Sequence, residues 1–593
     1  MSLTSPKIET NATSRLSPPK HYQWEFRPDR ATEAKAIANR LQLHPIVAAI
    51  LANRSFTISD QSLKDFLQPE LSSMHDPFLM QDMRIAAERI ALAVASGEKV
   101  MIFGDYDADG TTSTAVIVHL ARLIKLNADW YVPHRTEEGY GLNAAAIEQF
   151  AADGVSLIIT VDTGISAIDE VRIAGELGID VVITDHHQPG DTLPDAHAVV
   201  DPSRKDCSYP NPGLTGVGVA FKVAHAVLKV LNHPPESARP FLKSLLDLVA
   251  IGAVADFAPL EGENRVMVSH GLVQLAQTTH PGLQALCRSL KIAAPITAHQ
   301  LGFQIGPRLN AAGRTSHARI CVELLTTSSI QIGENIVKQL ELCNNERKKV
   351  ESEIFTACMD LLETQVDLEN HRVAVLHGID WHPGVIGIVA SRVMDRVARP
   401  VIILTESNGV VKGSARSGGH MNLYLALCAC CEHLVAFGGH PQAAGMTLEA
   451  SQVDAFRDAI NRHALDLDHP VSVLPTLLID AEVTCRNIDH SLLMQLRYLE
   501  PFGYKNPAPV LAARNLKCHG VARIVGNNHL KLQFRHEHAI FHAIGFNLGH
   551  FAEILNANPA QPLDVAFVPM LNEFWAEPRV EFEIKDIQLQ MVD

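Results

Sequence analysis

The sequence predicts an α/β fold: a parallel-sheet domain joined by a long helix to a smaller α/β domain, followed by an all-β module. Short β-branched apolar runs alternate with helical segments from about Ala86, which indicates βαβ units and a parallel sheet. The stretch from Glu334 to His377 has no glycine or proline and places apolar residues at helical spacing, which predicts the long helix. Beyond about Leu474, strict alternation of apolar and polar residues indicates strands.

At 593 residues the chain is too long for one hydrophobic core, because domains average roughly 150 residues. The first segment is rich in Ser, Thr and Pro, lacks the apolar core of a secretion signal, and predicts a disordered tail. Changes of pattern give the tail (1–20), a helical lead-in (21–75), the parallel-sheet domain (76–330), the long connecting helix (331–370), the smaller α/β domain (371–465) and the all-β module (466–593).

The composition is that of an ordinary soluble protein, with 47% apolar residues, 20% charged residues and a formal net charge of −16. No apolar stretch reaches the roughly 18 residues that a membrane span needs. The ten cysteines show no paired spacing, so we expect reduced thiols and a cytoplasmic location. The negative charge does not exclude a nucleic-acid partner, because affinity for nucleic acid depends on a local basic stripe.

The elements of the parallel-sheet domain follow from three apolar runs and the helical segments around them. Continuous β-branched runs are typical of parallel strands that are buried on both faces. A later glycine run, Gly213–Gly218, lacks the Lys-Ser/Thr of a nucleotide-binding loop and therefore predicts close helix packing. The predicted strands are Val100–Phe103, Leu157–Val161 and Val181–Thr184, and the predicted helices are Met83–Ser96, Thr111–Lys125 and Ile168–Leu177.

The two later domains are predicted from shorter signals. In the smaller α/β domain, apolar strands at 372–376 and 401–404 flank a helix at 386–396. In the all-β module, Leu530–Arg535 and Arg579–Ile584 alternate with a period of two, and a turn signal precedes the first of them. A small barrel is the expected architecture of this module.

Acidic and imidazole side chains follow the apolar strands of the parallel-sheet domain. The carboxyl ends of parallel strands meet at one edge of a sheet, where ligands bind. Oxygen ligands with one or two imidazoles and no thiolate suit Mn²⁺ or Mg²⁺ better than structural zinc. The residues concerned are Asp105, Asp107, Asp109, Asp162, Asp185, His186, His187 and, after an apolar helix, Asp256.

The segment Gly104–Gly110 carries three alternate carboxylates between the first strand and a helix predicted to begin near Thr111. An extended segment would point Asp105, Asp107 and Asp109 the same way. The alternatives are a calcium loop and a helix cap. A calcium loop of the EF-hand type requires a helix before it and a glutamate several residues after its glycine, whereas a strand precedes this segment.

Seven segments of the sequence resemble a known family. Four of them resemble motifs one to four of the DHH phosphoesterase superfamily: Gly104–Gly110, Thr160–Gly164, Thr184–Gln188 and Gly252–Asp256. Three more narrow the resemblance to the bacterial RecJ single-stranded-DNA exonucleases: Gly306–Arg314, Gly413–Ser417 and Gly439–Gly445. The resemblance covers nearly the whole chain after the tail, and it implies a DHH domain, a DHHA1 domain and a C-terminal OB-fold that binds single strands.

The resemblance implies a catalytic centre with two Mn²⁺ or Mg²⁺ ions. Asp162 would bridge the two ions, and Asp105 would be a further ligand or a neighbour of the ligands. His187 would contact the scissile phosphate or protonate the leaving group, and Asp185 would orient the histidines. The implied metal ligands are Asp107, Asp109, Asp162, His186 and Asp256.

Basic residues of the motifs are implied to bind the substrate. Arg135, Ser414 and Arg416 match the family's pocket for the 5′-terminal phosphate, and guanidinium groups suit phosphate oxygens. Arg308, Arg314 and His440 would also face the substrate; the alternative for each arginine is a surface ion pair. In the OB-fold, Phe502, Tyr504, Phe534, Phe541 and Trp575 are candidates to stack on bases, and Lys505, Arg523, Lys531 and Arg535 to follow phosphates, although most of these aromatic side chains must belong to the core.

The resemblance implies a hydrolase that degrades single-stranded DNA 5′→3′ to 5′-mononucleotides in DNA repair and recombination. It further implies a monomer with single-strand-binding protein and a RecQ-type helicase as partners, and no membrane association. One rival is a pyrophosphatase or small-oligonucleotide phosphodiesterase of the same superfamily; those are shorter and lack an OB-fold. Another rival is a non-catalytic replication scaffold, since some relatives have lost the metal ligands, whereas every ligand position is occupied here.

Overall fold

The computed structural model describes residues 22–59, 61–135, 137–368, 370–407, 409–465, 475–536, 539–572 and 579–590. They form two compact units. The parallel-sheet unit contains Phe56–Arg347 and Gln495–Ala508, and the composite unit contains Met1–Ser55, Lys348–Met494 and Pro509–Asp593. The predicted disordered tail and Trp575 lie outside the described residues. Among the helices of the described ranges, none is long and apolar enough to cross a membrane.

The strands of the described residues are, in chain order, β1 (Gln23–Phe26), β2 (Val100–Gly104), β3 (Ala128–Tyr131), β4 (Leu157–Val161), β5 (Asp180–Thr184), β6 (Ala198–Val200), β7 (Ala374–Ile379), β8 (Val401–Ser407), β9 (Val410–Arg416), β10 (Ala436–Gly439), β11 (Ala443–Glu449), β12 (Thr476–Ile479), β13 (Ala481–Glu482), β14 (Leu511–Val525), β15 (His529–His536), β16 (Ala539–Gly545), β17 (Leu563–Asn572) and β18 (Arg579–Leu589).

The α-helices of the same residues are α1 (Ala31–Leu41), α2 (Pro45–Asn53), α3 (Gln61–Leu67), α4 (Met83–Ser96), α5 (Ala108–Ile124), α6 (Ala144–Ala152), α7 (Ile168–Glu176), α8 (Gly216–Val230), α9 (Pro235–Ser244), α10 (Leu246–Ala255), α11 (Gly262–Ala276), α12 (Pro281–Ser289), α13 (Ala298–Gln300), α14 (Gly306–Thr315), α15 (Arg319–Thr326), α16 (Ile330–Gln365), α17 (Pro383–Val397), α18 (Leu423–Ala429), α19 (Val453–Leu465), α20 (His490–Leu496) and α21 (Phe551–Ala557).

The parallel-sheet unit contains a five-stranded sheet in the order β3-β2-β4-β5-β6, and all of its pairings are parallel. Every residue of β2 and β4 is buried, as their unbroken apolar runs predict. Successive residues face two different cores: Ile102 and Ile159 pack with helices α4, α5 and α8, and Phe103 and Ile158 pack with α6 and α7. The predicted parallel sheet is therefore confirmed. Its outer strands β3 and β6 were not predicted, because they are short.

The long helix α16 begins at Ile330 and ends at Gln365. The sequence predicted that the helix continues to residue 370, but it ends at Gln365. The Gln365 side chain accepts from the main-chain N–H of His377 at 2.8 Å and donates to its carbonyl at 3.0 Å. The chain after the helix thus becomes strand β7. The smaller sheet has the order β10-β11-β9-β8-β7, in which β7 and β8 are parallel and the other pairs are antiparallel.

The C-terminal module is a small barrel. Strand β14 pairs with both β15 and β17, which closes the cycle β14-β15-β16-β18-β17. Closure removes exposed sheet edges, and it confirms the predicted all-β module. Phe534 is fully buried inside the barrel, so its predicted stacking on bases is wrong. Phe541 packs on the buried ring of Phe582, with centroids 5.1 Å apart.

A segment from the predicted OB-fold region belongs to the parallel-sheet unit instead. The buried guanidinium of Arg265 donates to consecutive main-chain carbonyls, among them that of Glu500 at 2.6 Å, and to that of Phe66 at 2.8 Å. A buried charge requires such partners. Residues 495–508 therefore pack with the parallel sheet, and Phe502 and Tyr504 lie outside the barrel.

The predicted helical lead-in begins with a strand. Strand β1 pairs in parallel with β12, and the indole N–H of Trp24 donates to Asp586 at 2.7 Å. Residues up to Ser55 belong to the composite unit, together with the barrel. A four-residue strand carries too little periodicity to be predicted from sequence, because the partner that stabilises it lies far along the chain.

Asp480 connects the N-terminal segment to the rest of the composite unit. Its buried carboxylate accepts hydrogen bonds from Nε of Arg27 at 3.1 Å, from Nε of Arg54 at 2.8 Å and from the amide of Val510 at 3.0 Å. Replacing Asp480 with Ala should lower the free energy of unfolding by about 3 kcal/mol, because it leaves two guanidinium groups without their common carboxylate.

The loss is measured as a lower urea midpoint of the transition reported by tryptophan fluorescence, since Trp24 lies in this unit. Asp454→Ala is the control, because the Asp454 side chain is 91% exposed and pairs within its own helix. Equal midpoints for the two variants would contradict the role of Asp480.

Candidate metal centre

The first carboxylates of the site lie around the start of helix α5. This helix begins at Ala108, earlier than predicted, because Asp107 caps it: Oδ1 of Asp107 accepts from the amides of Asp109 at 2.9 Å and Gly110 at 3.0 Å. The predicted extended segment with three carboxylates pointing the same way is therefore wrong. Asp105 precedes the turn, Asp107 is the cap, and Asp109 lies in the first helical turn.

Asp109 is held by the N-terminus of a second helix. Its Oδ2 accepts from the amide of Gly216 at 2.7 Å, and its Oδ1 accepts from the amide of Val217 at 2.9 Å. Unpaired amides and the helix dipole make the start of α8 a favourable place for a carboxylate. This role of Gly216 and Val217 was not predicted, because the glycine run around Gly216 indicates only helix packing.

Asp162 follows β4 in a left-handed backbone conformation with φ 61°, which few residues other than glycine adopt. Its amide donates to the carbonyl of Thr184 at 3.0 Å, which fixes the turn against the neighbouring strand. Gly216 leaves the space that the carboxylate occupies, since a Cβ atom on Gly216 would lie 2.4 Å from Oδ1 of Asp162. Strand β4, the turn that follows it and the start of helix α8 together determine where the Asp162 side chain points.

Asp185 organises the chain after β5. Its Oδ1 accepts from the amides of His186 at 2.8 Å and His187 at 3.2 Å and lies 2.8 Å from Nδ1 of His187. Its Oδ2 accepts from the amide of Ile165 at 2.9 Å. Burial alone would raise the pKa of Asp185, but the bonds with His187 hold it below its ordinary value. The orienting role of Asp185 stays a prediction.

His186 lies at the centre of the carboxylates. Its Nε2 is 3.0 Å from Oδ1 of Asp162, 3.8 Å from Oδ2 of Asp109 and 3.9 Å from Oδ2 of Asp256. Asp256 directly follows the apolar helix α10, as predicted. Three sets of ligand atoms each lie within 4.8 Å of one another: Asp105, Asp107 and Asp162; Asp109, His186 and Asp256; Asp162, His186 and His187.

The electrostatics of the cluster favour a cation. Burial raises the pKa values of Asp105, Asp109 and Asp162 well above the usual range, and neighbouring carboxylates raise them further. Burial and then the charge of Asp107 raise the pKa of Asp256 to about 7. Oδ1 of Asp105 and Oδ1 of Asp162 are buried without a hydrogen-bond partner. Such oxygens are costly unless paired, so the donor set fits divalent metal ions.

Two of the arginines that were predicted to bind the substrate, Arg135 and Arg314, lie near Tyr106, the residue between Asp105 and Asp107. The guanidinium carbon of Arg135 lies 4.7 Å from the centroid of the Tyr106 ring, and the charge of Arg314 also acts on the Tyr106 phenol. Oδ1 of Asn310 accepts from the amide of Ala108 at 2.8 Å. The helix that carries Arg314 thus contacts the start of α5. The role of Asn310 was missed, although the residue lies inside a recognised motif.

Arg308 forms an ion pair, which was the alternative to substrate binding for each of the arginines. Its Nε lies 2.6 Å from Oε1 of Glu341, and its Nη1 donates to the carbonyl of Gln304 at 2.7 Å. The ion pair holds Arg308 along helix α16. Its substrate contact stays a prediction.

Ser414, Arg416 and His440 lie in the smaller sheet of the composite unit. Ser414 and Arg416 are neighbours on one face of β9, with Nη1 of Arg416 donating to the Ser414 hydroxyl at 3.0 Å. A Cβ on Gly387 of helix α17 would lie 2.8 Å from Nη2 of Arg416 and 2.9 Å from the Ser414 hydroxyl. His440 is exposed and follows β10, and its amide donates to the carbonyl of Ala443 at 2.8 Å.

Three family models match the chain in the order of its domains. The DHH family N-terminal domain matches residues 99–253, the DHHA1 domain matches 370–464, and the RecJ OB domain matches 479–586. A parallel sheet with carboxylates and imidazoles at its carboxyl edge, followed by these domains, defines a phosphoesterase of the DHH class. The chain is therefore a hydrolase.

Curated relatives identify the family within that class. The chain is 39% identical over 569 residues to the single-stranded-DNA-specific exonuclease RecJ of Bacillus subtilis, covering 95% of this chain and 70% of that protein. It is 33% identical over 571 residues to the Escherichia coli RecJ, covering 92% and 96%. The chain belongs to the RecJ family of single-stranded-DNA-specific exonucleases.

Solved RecJ structures share the fold over most of the chain. RecJ from Thermus thermophilus in complex with Mn²⁺ has a TM-score of 0.82 and 27% identity, covering 96% of this chain and 80% of that one. The same enzyme in complex with Mg²⁺ has a TM-score of 0.75 and 25% identity, covering 96% and 79%. The predicted DHH, DHHA1 and OB architecture is confirmed.

Proposed function

We propose that the chain degrades single-stranded DNA from its 5′ end and releases 5′-mononucleotides, in DNA repair and recombination. The observation that carries this proposal is the position of Asp162. It belongs to one group of ligand atoms with Asp105 and Asp107, and to another with His186, which itself joins Asp109 and Asp256. A carboxylate shared between two groups is the arrangement that two neighbouring cations require.

Two Mn²⁺ or Mg²⁺ ions are the metals that we propose for this site. The donor set of carboxylates and imidazole suits them, and solved RecJ structures are complexes with one or the other. Such ions acidify an attacking water and stabilise a departing oxygen. The residues that would hold them are Asp107, Asp109, Asp162, His186 and Asp256, with Asp105 as a further ligand or a neighbour.

His187 is proposed to act on the DNA rather than on a metal. Its Nδ1 is 2.8 Å from Asp185, which leaves Nε2 as the ring nitrogen able to face the substrate. Burial would lower the pKa of His187, but the bond to Asp185 and the charges of nearby carboxylates raise it to about 9. Nε2 would hold the scissile phosphate or give its proton to the leaving 3′ oxygen.

The 5′ polarity is proposed to come from recognition of a terminal phosphate. Ser414 and Arg416 present a hydroxyl and a guanidinium side by side on β9, which is a favourable pair of donors for phosphate oxygens. Arg135, Arg308, Arg314 and His440 are also proposed to contact the DNA strand.

The direction of digestion is tested with one single-stranded oligonucleotide labelled either on its first or on its last nucleotide. We expect the 5′ label to appear first, as a mononucleotide, when the DNA carries a 5′ phosphate and Mn²⁺ is present. Earlier release of the 3′ label would reject the direction, and release of internal fragments would reject an exonuclease. An oligonucleotide annealed to its complement is the control for strand specificity.

Replacing Arg416 with Ala should lower the preference for a 5′ phosphate over a 5′ hydroxyl by about tenfold, because a hydrogen bond to a charged group is lost. The preference is measured as the ratio of kcat/KM for the two oligonucleotides, and kcat on saturating substrate should change less. Lys412→Ala is the control, since it removes a positive charge from the same strand. Equal ratios in Arg416→Ala and the parent would contradict the pocket.

The cellular setting is also part of the proposal. All ten cysteines are free thiols, as expected in the reducing cytoplasm. We propose a monomer that works with single-strand-binding protein and a RecQ-type helicase, which supply or expose the substrate strand. Domain boundaries near 76–330, 331–370, 371–465 and 466–593 are proposed for the chain, with residues 495–508 docked on the parallel-sheet unit. Light scattering of the purified protein tests the monomer.

A further inference from the structure

An additional carboxylate lies at the edge of the parallel sheet where the site is formed. Strands β2, β4 and β5 are followed by Asp105, Asp162 and Asp185, which the proposed function uses. Strand β6 is also followed by an aspartate, Asp201, which is fully buried. The sequence pattern before Asp201 differs from that before the other three aspartates, because strand β6 has only three residues. Nothing in the proposed function uses this side chain.

The carboxyl group of Asp201 forms hydrogen bonds with Ser203. Oδ1 of Asp201 accepts from the Ser203 amide at 2.7 Å and lies 2.6 Å from the Ser203 hydroxyl. The same hydroxyl lies 2.9 Å from the main-chain carbonyl oxygen of His187. Oδ2 of Asp201 is buried without a hydrogen-bond partner. A buried carboxyl group thus reaches the catalytic histidine through a single serine.

The distances leave too few protons if Asp201 is ionised. The Ser203 hydroxyl has one proton and lies within hydrogen-bond distance of two acceptors, the carboxyl of Asp201 and the carbonyl of His187. A protonated Asp201 donates to the serine oxygen, and the serine then donates to the His187 carbonyl. Burial raises the pKa of Asp201 to about 7, although the bonds from Ser203 act in the opposite direction.

We propose that Asp201 and Ser203 are positioning residues for His187. Ser203 holds the main-chain carbonyl of His187, and Asp201 holds Ser203 in the orientation that this bond needs. Asp185 meanwhile holds the amide and Nδ1 of the same histidine, at 3.2 Å and 2.8 Å. His187 is therefore held at its carbonyl, its amide and its ring, and these contacts restrict the position of Nε2.

The expected size of the effect follows from how sharply proton transfer and phosphate contact depend on distance. A displacement of about 1 Å in a reacting group can cost roughly 10²-fold in rate. Loss of one of three attachments should move the ring by less than that. We therefore expect Ser203→Ala to lower kcat by about tenfold, with KM for single-stranded DNA unchanged.

The test is a double-mutant cycle on the full-length protein with Mn²⁺ and a 5′-phosphorylated oligonucleotide. Ser203→Ala should lower kcat about tenfold in the parent, and by less than about twofold when His187 is already Ala, because residues that act through one another are not additive. Ser208→Ala is the control, since Ser208 is exposed on the same loop. Equal losses in both backgrounds, or no loss in the parent, would overturn the proposal.

A second pair of variants tests the carboxyl group. Asp201→Ala should match Ser203→Ala, and Asp201→Asn should also lower kcat, because an amide atom in the place of Oδ1 cannot both accept from the Ser203 amide and donate to the Ser203 hydroxyl. Full kcat in Asp201→Asn would overturn the protonated form of the contact. Thermal midpoints equal to the parent's are expected for Ser203→Ala; a lower midpoint with a raised KM would indicate a structural role and would also overturn it.

This inference rests on the role proposed for His187, and the same assays separate the two. If the parent and His187→Ala digest DNA equally well, the role of His187 fails. If His187→Ala is slow while Ser203→Ala matches the parent, the role of His187 stands and the supporting pair fails.

Discussion

Replacing Asp162 with Asn should reduce kcat for release of mononucleotides by at least about 10³-fold. Asp162 belongs to two of the three groups of ligand atoms, and an amide offers one acceptor oxygen where the carboxylate offers two. The loss is measured on saturating 5′-phosphorylated single-stranded DNA with Mn²⁺. Asp169→Asn is the control, because its side chain is 83% exposed in the first turn of α7.

The same substitution should raise the thermal midpoint of the protein in a chelator. A buried carboxylate among other carboxylates destabilises the metal-free fold, and the neutral amide relieves that repulsion. A variant that is inactive and more stable without metal identifies a binding residue and excludes misfolding. Full activity in Asp162→Asn would reject the shared-ligand assignment, and inactivity of the parent as well would favour a non-catalytic scaffold.

Replacing Gly216 with Ala should lower kcat by at least about 10²-fold, since displacement of catalytic groups by about 1 Å has this effect. The added Cβ would lie 2.4 Å from Oδ1 and 2.5 Å from Cβ of Asp162, so the turn after β4 must shift. The Gly216 amide also holds Asp109 at 2.7 Å, so both carboxylates would move together. Activity is measured over a range of Mn²⁺ concentrations, and we expect a weaker apparent affinity for the metal.

Gly218→Ala is the matched control, two residues farther along the same helix. A Cβ there would meet its nearest neighbour, Cδ2 of Leu214, at 3.3 Å, and alanine is otherwise favoured over glycine in a helix. We expect Gly218→Ala to keep nearly full activity. Similar losses in the two variants would show that α8 tolerates neither change and would contradict a specific role for Gly216.

The acidic residues of the site could be predicted because each of them follows a local sequence pattern. Asp105, Asp162 and Asp185 each come directly after an apolar run, and parallel strands bring their carboxyl ends to one edge. Asp256 was found because a charge at the end of an apolar helix needs a partner. The resemblance to a family added roles for these residues, and the fold brings their side chains close together.

What the sequence could not predict depends on contacts between distant segments. The start of α5 depends on whether Asp107 caps a helix, and the position of Asp109 depends on amides more than a hundred residues away, at Gly216 and Val217. Asp201 follows a strand too short to recognise. Phe534, by contrast, alternates with Leu530 and Leu532 on the apolar face of its strand, and all three are buried in the barrel.

The pairing of β1 with β12 has a consequence for synthesis of the chain. Trp24 bonds Asp586, 562 residues later. At ribosomal rates of about 5–20 residues per second, the first strand emerges on the order of a minute before its partner exists. The parallel sheet can form during that interval from residues 56–347, while the N-terminal segment waits. The composite unit therefore cannot be completed before residue 586 has been synthesised, and in nascent chains strand β1 with Trp24 lacks its partner until then.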